Sequence, residues 1–411
     1  MRILFLNNYY YLRGGSERVL FQEMAALEAV GHQVAVFSRR HPENLPTPHE
    51  SLFTPPMDTQ RVSFGPRALV TLRELFYSQA NYQAVRRIVA EFKPDVAHAH
   101  NIYGRLSTSV LDALRDCQVP AVLTLHDYKL ICPNYLLLCG GRICEACKGG
   151  RFYQAFLNRC HKGSYAASAV YALESGFTRL WGKYDSLRGL IAPSRFLGCK
   201  FAEFGFDSRR IHYIPNCIDT DEYVAAAGMG RHILFLGRLS REKGVDVLLA
   251  AHGALPNKPR PPLLIVGDGP ERQKLREAAA SLEDREFAGY LQGSALRETI
   301  RQALAVVVPS VWYENAPLAV LEAMACGKPV IGARIGGISE MIDDAETGYL
   351  FEPGNAADLV DKLSRLLGLP RAQLAAMGAA ARRKAEVHYS PEAHLSGLLG
   401  LYERVLGGER T

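Results

Sequence analysis

The stretch VVVPSVWYENAPLAVLEAMACGKPVIGA, residues 306–333, carries the pattern from which the fold can be predicted. A short apolar run lies at each end, and the segment between them has the length and composition of a helix. Asn315 is a residue type that caps helices, Pro317 suits a first helical turn, and Gly327 lies where a helix would end. The stretch therefore predicts a strand–helix–strand unit of a parallel sheet.

The same alternation of strand and helix runs along the whole chain in two series. Candidate strands of the first half are residues 2–7, 33–38, 95–100, 121–126 and 189–194. Those of the second half are residues 232–238, 262–268, 306–310, 328–333 and 348–351. Most are continuously apolar, as strands buried on both faces require. We predict an α/β protein with two doubly wound, Rossmann-like domains, residues 1–190 and 191–388, a hinge near 190–230 and a final helical segment, residues 389–411.

Composition indicates a globular protein without a membrane span. The 411 residues are 48% hydrophobic and 22% charged, and no apolar run reaches the length that a membrane-spanning helix needs. The first apolar run is too short for a signal peptide, so we expect a cytosolic protein. Residues 1–190 hold 22 Lys and Arg against 15 Asp and Glu. This basic half indicates either contact with an anionic partner such as a membrane surface, or a well-solvated domain.

The helix beginning near residue 316 suggests an anion site flanked by carboxylates. Free N–H groups and the helix dipole favour phosphate there. Glu314 and Glu322 would be repelled by phosphate unless they accept hydrogen bonds from hydroxyl groups, such as those of a ribose or hexose. Alternatively, Glu322 is a solvated helix residue and Glu314 a loop residue.

Other strand-end loops add the groups that a diphosphate needs. Arg238, Arg241 and Lys243 follow a predicted strand, where ligands of doubly wound sheets bind. Gly267 and Gly269 follow the next strand and would allow the backbone to approach a ligand. In the first half, Gly14 and Gly15 precede Ser16, a candidate helix cap; a G-x-G-x-x-G fingerprint is absent there.

Six motifs in this order resemble the retaining glycosyltransferases of family 4. They are RGGSE (13–17), APS (192–194), IPNCID (214–219), GRLSREKG (237–244), VGDGP (266–270) and E-x7-E (314–322). The resemblance covers nearly the whole chain and implies the GT-B fold, in which two Rossmann-like domains face each other across a cleft. It also implies that the final helix crosses back onto the first domain.

The resemblance assigns roles to matching positions. Arg238 and Lys243 would bind the donor diphosphate, Glu322 the ribose, and Glu314 and His126 the donor sugar. His98 and His100 are expected to face the cleft and bind the acceptor. The remaining donor-binding residues would be Gly14, Gly15, Gly267, Gly269, Tyr290, Asn315, Ala316, Pro317 and Leu318.

The expected activity is transfer of a hexose from a UDP- or GDP-sugar to a hydroxyl acceptor, with retention and without a catalytic metal. The acceptor would be a glycan or a lipid-linked intermediate of cell-surface polysaccharide synthesis, at the inner face of the membrane. A GT-B sugar-nucleotide epimerase or hydrolase is one alternative. Another is a nucleic-acid-binding protein that uses the cysteine-rich insertion, although nucleic acid is not the expected partner.

That insertion, residues 128–165, interrupts the strand and helix pattern and holds five cysteines. Cys144 and Cys147 have the spacing of a zinc half-site. We predict a structural zinc bound by Cys132, Cys144, Cys147 and Cys160, with Cys139 or His161 as substitutes. The alternative is a set of free thiols in an irregular loop.

Overall fold

In the computed structural model, the protein contains two parallel six-stranded sheets, each covered by helices on both faces. The structure describes residues 1–57, 66–225, 230–256, 259–280 and 284–408. Within these ranges, no helix is long and apolar enough to cross a membrane.

The first sheet has the strand order β2-β1-β3-β4-β7-β8, with all neighbours parallel. Its strands are β1 (Arg2–Leu6), β2 (Gln33–Phe37), β3 (Val96–Ala99), β4 (Ala121–Thr124), β7 (Leu187–Ala192) and β8 (Ile211–Tyr213). Its helices are α1 (Gly15–Ala29), α2 (Pro66–Phe76), α3 (Gln79–Phe92), α4 (Ser109–Asp116), α5 (Tyr153–Leu157), α6 (Tyr165–Leu180) and α7 (Arg195–Glu203). A small antiparallel hairpin, β5 (Leu138–Cys139) and β6 (Arg142–Ile143), lies inside the predicted insertion.

The second sheet has the order β11-β10-β9-β12-β13-β14, also parallel. Its strands are β9 (His232–Leu236), β10 (Leu263–Val266), β11 (Arg285–Gly289), β12 (Ala303–Val308), β13 (Val330–Ala333) and β14 (Gly348–Phe351). The helices are α8 (Val245–Gly253), α9 (Arg272–Ala279), α10 (Gly293–Arg301), α11 (Leu318–Ala325), α12 (Ile338–Met341), α13 (Ala356–Leu367), α14 (Arg371–His388) and α15 (Pro391–Leu406).

The predicted fold class is confirmed, because the continuously apolar runs are central strands. β12 is buried at every position, and β1 is buried from Ile3 onward. Burial of both strand faces removes apolar surface from water. This stabilises the folded state by about 25 cal/mol for each Å² buried, which favours the doubly wound arrangement. β8 and β11 are additional strands that lie at or near sheet edges, where burial is incomplete and the apolar pattern is weaker.

The domain boundary lies further along the chain than the predicted one. The break proposed between residues 190 and 191 falls inside β7, and β8 still pairs with β7 in the first sheet. The crossing to the second sheet therefore follows Tyr213 and precedes His232. Residues 226–229 of this connection, like residues 409–411 of the final segment, lie outside the described residues.

The last helix, α15, packs on the first domain. Its side chains Leu398, Leu401, Tyr402 and Val405 belong to the same buried cluster as β1, β3 and β4. Tyr402 Oη lies 2.7 Å from His98 Nδ1 in β3, and His394 Nε2 lies 3.1 Å from Glu23 Oε1 in α1. The chain thus crosses between the domains twice.

Each sheet reverses its strand order at a point where ligands of such folds bind. In the second sheet this point lies between β9 and β12, and in the first sheet between β1 and β3. The loops that leave the carboxyl ends of these four strands, and of the neighbouring strands β4, β10 and β11, carry most of the residues described next.

Candidate active site

Lys243 and Glu314 meet at the switch point of the second sheet. Lys243 ends a short 3-10 turn, Arg241–Lys243, in the loop after β9, whereas Glu314 lies in the loop after β12. Lys243 Nζ is 2.6 Å from Glu314 Oε1, which also accepts a hydrogen bond from Ser310 Oγ at 2.6 Å. Arg238 lies exposed in the same β9 loop. The structure thus brings Lys243 and Glu314 into contact and leaves Arg238 in the same loop, while the roles expected for them stay predictions.

The lysine keeps the buried Glu314 ionised. Burial favours the neutral acid, but the charge of Lys243 and hydrogen bonds from Lys243, Ser310 and Trp312 outweigh it, so the pKa of Glu314 is lowered. Lys243 also lies 5.4 Å from the centre of the Trp312 ring, which limits its movement. The pair is thus a fixed ion pair between the loops after β9 and β12.

The helix after Glu314 starts later than predicted. α11 begins at Leu318 with Pro317 in the cap position, so Asn315 is not the cap. Asn315 instead spans the cleft: its Nδ2 donates to the Leu125 carbonyl at 2.9 Å, and its Oδ1 accepts from Ser194 Oγ at 3.0 Å. The side chain is used for these longer-range bonds, which local spacing cannot reveal.

The first helix of the first domain points its start at the start of α11. α1 begins at Gly15 with Gly14 as its cap. Ser16 was expected to be the cap, but its hydroxyl donates to Glu17 Oε1 at 3.1 Å. A Cβ added to Gly15 would lie 3.5 Å from a methyl group of Leu318. The positive ends of these two helices therefore lie close together.

Glu322 is held by donors from two parts of the protein. Its carboxylate is buried, and Oε1 accepts hydrogen bonds from Arg18 of α1 and from Tyr223 Oη, the latter at 2.9 Å. The ion pair with Arg18 joins the two domains. Tyr290 follows β11, is exposed, and is close enough to Arg18 for the two to interact electrostatically.

The glycines after β10 face protein backbone. A Cβ on Gly267 would lie 1.8 Å from the Gly237 carbonyl oxygen, and a Cβ on Gly269 would lie 2.3 Å from the Leu239 carbonyl oxygen. The expectation that these glycines also let a ligand approach stays a prediction. Their role in the fold is to let the loops after β9 and β10 pack against each other, which sets the position of Arg238.

His126 is the first member of a buried hydrogen-bonded network. Its Nε2 lies 2.8 Å from His100 Nδ1, and His100 Nε2 lies 3.2 Å from Glu23 Oε2. Burial and the neighbouring His100 lower the pKa of His126 to about 3, with Glu23 acting in the opposite direction. His126 is therefore neutral at neutral pH.

The expectation that His98 and His100 face the cleft is wrong, because both are fully buried. With Glu23 they form the one group of three potential metal ligands within 4.8 Å of one another in the described chain. Both ring nitrogens of His98 already have hydroxyl partners, Tyr402 and Thr124, each at 2.7 Å. His100 thus supports His126 through the bond to its Nε2, while Glu23 lies at ion-pair distance from both buried histidines.

Asp127 is a site residue that the motif comparison did not single out. It follows His126 directly, and burial raises the pKa of its carboxyl to about 6, while a hydrogen bond from the Lys129 N–H and the Lys129 charge act in the opposite direction. A carboxyl with this pKa changes charge close to neutral pH, as acid–base groups of active sites do. The signal in the sequence that could have identified Asp127 was its position directly after a candidate catalytic histidine.

The predicted zinc site stays a prediction, because the described part of the structure gathers its cysteines without bringing three ligand atoms together. They gather in one region, but in the described residues no cysteine belongs to a group of three ligand atoms within 4.8 Å. Cys132 Sγ donates to Asn134 Oδ1 at 2.8 Å, and Cys147 packs with Phe152, Ala155 and Ala172 in a small apolar core that Cys160 also contacts. Burial raises the pKa of Cys147 to about 12. Neutral thiols thus act here as apolar side chains.

The insertion also borders the cleft. Glu145 Oε1 accepts a hydrogen bond from Tyr313 Oη of the second domain at 3.2 Å. A Cβ on Gly141 would lie 2.8 Å from the Arg241 guanidinium. Tyr135 is exposed and close enough to Arg238 to feel its charge. The insertion is therefore in position to shape what enters the site from the first-domain side.

Comparisons with known proteins agree with this architecture. Residues 13–222 match the sequence family Glycosyltransferase Family 4, and residues 221–384 match the family Glycosyl transferases group 1. A glycogen synthase of Mycobacterium tuberculosis is 29% identical over 400 residues, which span 90% of this chain and 87% of the relative. A phosphatidyl-myo-inositol mannosyltransferase of Mycobacterium leprae is 26% identical over 98% of this chain and 97% of its own.

A solved structure has the same two-domain fold. The Anabaena protein HepE, solved in complex with UDP and glucose, has a TM-score of 0.67 and 17% sequence identity. The match covers 98% of this chain and 99% of that protein.

Proposed function

The chain belongs to glycosyltransferase family 4, and from this membership we propose that its cleft transfers a sugar from a nucleoside-diphosphate donor to a hydroxyl acceptor with retention of configuration. The observation that carries the proposal is the Lys243–Glu314 pair beside Arg238 at the switch point of the second sheet. Cations and a fixed carboxylate at such a point suit a ligand that has both a diphosphate and a hydroxylated sugar.

The donor is bound mainly by the second domain. Arg238 and Lys243 bind the diphosphate, and the backbone from Asn315 to Leu318, at the start of α11, supports phosphate and sugar. Glu322 accepts hydrogen bonds from the ribose; because its protein donors both use Oε1, Oε2 is the oxygen left for this role. The base lies against the backbone of Tyr290.

The first domain closes the donor site from the opposite side. Gly14 and Gly15 bring the start of α1 close to the diphosphate, and Arg18 adds a third positive charge near the ribose. Gly267 and Gly269 contribute by holding the Arg238 loop in place. His126 lies at the donor sugar, where its neutral imidazole can exchange hydrogen bonds with sugar hydroxyls.

The reaction we propose is a same-face substitution. The bond between the anomeric carbon and the leaving phosphate oxygen breaks, the acceptor oxygen bonds to the same face, and the acceptor proton passes to the leaving diphosphate. Arg238, Lys243 and the α11 start stabilise the negative charge that develops on this group, the role that a metal ion has in other transferases. Glu314 orients the donor sugar, and the Asp127 carboxylate accepts a hydrogen bond from a second, non-attacking hydroxyl of the acceptor, which positions the acceptor for attack.

The donor we expect is a UDP- or GDP-sugar and the acceptor a glycan or lipid-linked sugar. The UDP and glucose bound by HepE support this choice, as do the names of the two mycobacterial relatives, a glycogen synthase and a phosphatidyl-myo-inositol mannosyltransferase. We expect the reaction to occur in the cytosol, at the inner face of the membrane when the acceptor is a lipid. All nine cysteines are free thiols, which suits a reducing compartment.

A thermal-shift panel of UDP-, GDP- and ADP-sugars tests the donor assignment, because a ligand that binds the native state raises its melting temperature. We expect one nucleotide class to stabilise the wild-type protein, and the shift to disappear in Lys243→Ala. Proton NMR of a subsequent reaction would identify the anomer formed. An inverted product, or donor hydrolysis that no acceptor can divert, would exclude the proposed transfer.

A further inference from the structure

Helix α6 is oriented with its polar side inward and its apolar side outward. The buried side chains include Ser168, Glu174, Ser175 and Thr178, and the Glu174 carboxylate pairs with the Lys129 ammonium at 2.6 Å. The outward positions Leu173 and Leu180 are 66% and 78% exposed. A surface helix normally has the opposite arrangement.

The exposed residues form one surface, which we call the outer apolar face. It comprises Phe156, Leu157, Tyr165, Leu173, Leu180 and Trp181. Tyr165, Leu173 and Leu180 are spaced by about two helical turns and therefore lie on the same side of α6. The Phe156 ring lies 5.3 Å from the Tyr165 ring, which joins the end of α5 to this side. An apolar face of this length on a soluble protein indicates a binding partner.

The exposed charges at the end of the outer apolar face where α5 joins α6 are positive, whereas Asp185 is exposed near Trp181 at the other end. From residue 146 to residue 173 the chain has four Lys and Arg and no Asp or Glu. The Arg159 guanidinium lies 5.2 Å from the centre of the Tyr165 ring, and Lys162 is exposed on the same connection between α5 and α6. Within the described chain, neither Arg159 nor Lys162 forms an ion pair with an acidic side chain.

We propose that the outer apolar face docks the protein on a bilayer that contains anionic phospholipids. Leu, Phe, Tyr and Trp side chains insert at the boundary between headgroups and acyl chains, and the flanking cations attract anionic headgroups. A second copy of the chain fits less well, because a twofold interface would bring the same cations together without acidic partners. This surface is separate from the donor site, so its role does not depend on the proposed chemistry.

The insertion connects the outer apolar face with the cleft. The segment that carries α5 also contacts the second domain at Tyr313 and lines the cleft with Tyr135. Docking through the outer apolar face would therefore hold the cleft near the bilayer surface, within reach of an acceptor whose sugar is carried on a lipid.

Vesicle co-sedimentation of the full chain tests the proposal. We expect binding to vesicles of phosphatidylglycerol mixed with phosphatidylcholine, and much weaker binding to phosphatidylcholine alone. Leu173→Glu should weaken binding about tenfold or more, because a charge replaces an apolar side chain that would insert into the bilayer. Arg159→Gln combined with Lys162→Gln should weaken binding to the anionic vesicles by about tenfold and reduce its salt dependence.

Val387→Glu is the matched control, since Val387 of α14 is 66% exposed, as is Leu173, but lies in the second domain. It should bind vesicles as the wild type does. Donor-induced melting shifts should be the same in all variants, which separates this test from the donor site. Failure of the wild type to bind anionic vesicles, or equal binding by Leu173→Glu, would overturn the proposal. So would a dimer in light scattering that Leu173→Glu dissociates, because the second copy would then occupy the face.

Discussion

The ammonium of Lys243 lies 2.6 Å from the carboxylate of Glu314, although 71 residues separate the two in the chain. The loops after β9 and β12 bring them together at the point where the strand order of the second sheet reverses. A residue expected to bind phosphate is thus paired with one expected to bind sugar. The ammonium of Lys243 helps to keep the buried carboxyl of Glu314 charged, because it lowers the pKa of that carboxyl.

Lys243→Ala should lower kcat about 100-fold or more, because it removes a cation that stabilises the leaving diphosphate. The substitution also leaves Glu314 buried without its partner, which costs stability. The double variant Lys243→Ala, Glu314→Gln relieves that cost, so it should regain melting temperature but not turnover. Lys362→Ala, which removes an α13 lysine paired with Asp358 and Asp361, is the control. Turnover of Lys243→Ala within a few-fold of wild type would rule out the diphosphate role.

Glu322→Ala should raise the donor dissociation constant by about 10- to 100-fold, the range expected for lost hydrogen bonds to a charged group. Isothermal titration calorimetry with the nucleotide chosen by the thermal-shift panel measures this change. Tyr223→Phe removes one donor of the carboxylate but keeps the Arg18 pair, so it should have a smaller effect. An unchanged dissociation constant in Glu322→Ala would contradict ribose binding.

Asp127 should impose a pH dependence on the transfer rate. Its pKa of about 6 means that the carboxylate is lost below pH 6, so kcat should fall about tenfold per pH unit there. The same raised pKa makes the protein lose stability as pH rises from about 4 to about 6, because the unfolded state releases this proton more easily. Asp127→Asn should therefore have a lower transfer rate, and this rate should not depend on pH in this range. The variant should also be more stable than the wild type at pH 7. A wild-type profile that is flat from pH 5 to pH 7 would be incompatible with the proposed role.

Truncation after Tyr389 should destabilise the first domain, although the missing helix follows the second domain in sequence. It removes Leu398, Leu401 and Tyr402, which are fully buried on first-domain residues. We expect lower solubility and weaker donor binding while the second domain stays folded. The point variant Tyr402→Phe leaves His98 Nδ1 without its partner and should cost about 1–3 kcal/mol in urea unfolding. Arg404→Ala on the exposed side of α15 is the control; equal melting temperatures for truncated and full-length protein would disprove this dependence.

Chelators should leave the transfer rate unchanged, because Arg238, Lys243 and the start of α11 supply the positive charge of the proposed mechanism. The measurement is kcat with saturating donor in EDTA, with and without restored magnesium. Glu23→Gln serves as a second check: it alters the one compact ligand group of the described chain and should not create or remove a metal dependence. A rate that requires magnesium would contradict the mechanism.

Local patterns were enough to predict the architecture. Continuous apolar runs such as that of β12 must be buried on both faces, which only a sheet covered by helices allows. The apolar stripe of α15 likewise indicated a helix that needs a surface to cover it. The ordered motifs placed Arg238, Lys243 and Glu314 at strand ends, and strand ends of a parallel sheet meet at one edge. These features depend on residues close in sequence, so the sequence alone contains them.

The partners of the site residues were decided only by the tertiary structure. Asn315 bonds to the Leu125 carbonyl, Arg18 pairs with Glu322, and His100 lies behind His126, all across sequence distances that carry no local pattern. The cysteines show the same limit, because their spacing did not reveal that Cys147 and Cys160 pack with Phe152, Ala155 and Ala172. Burial converts a side chain from a solvated group into one that must find a partner, and the fold alone determines which partner is within reach.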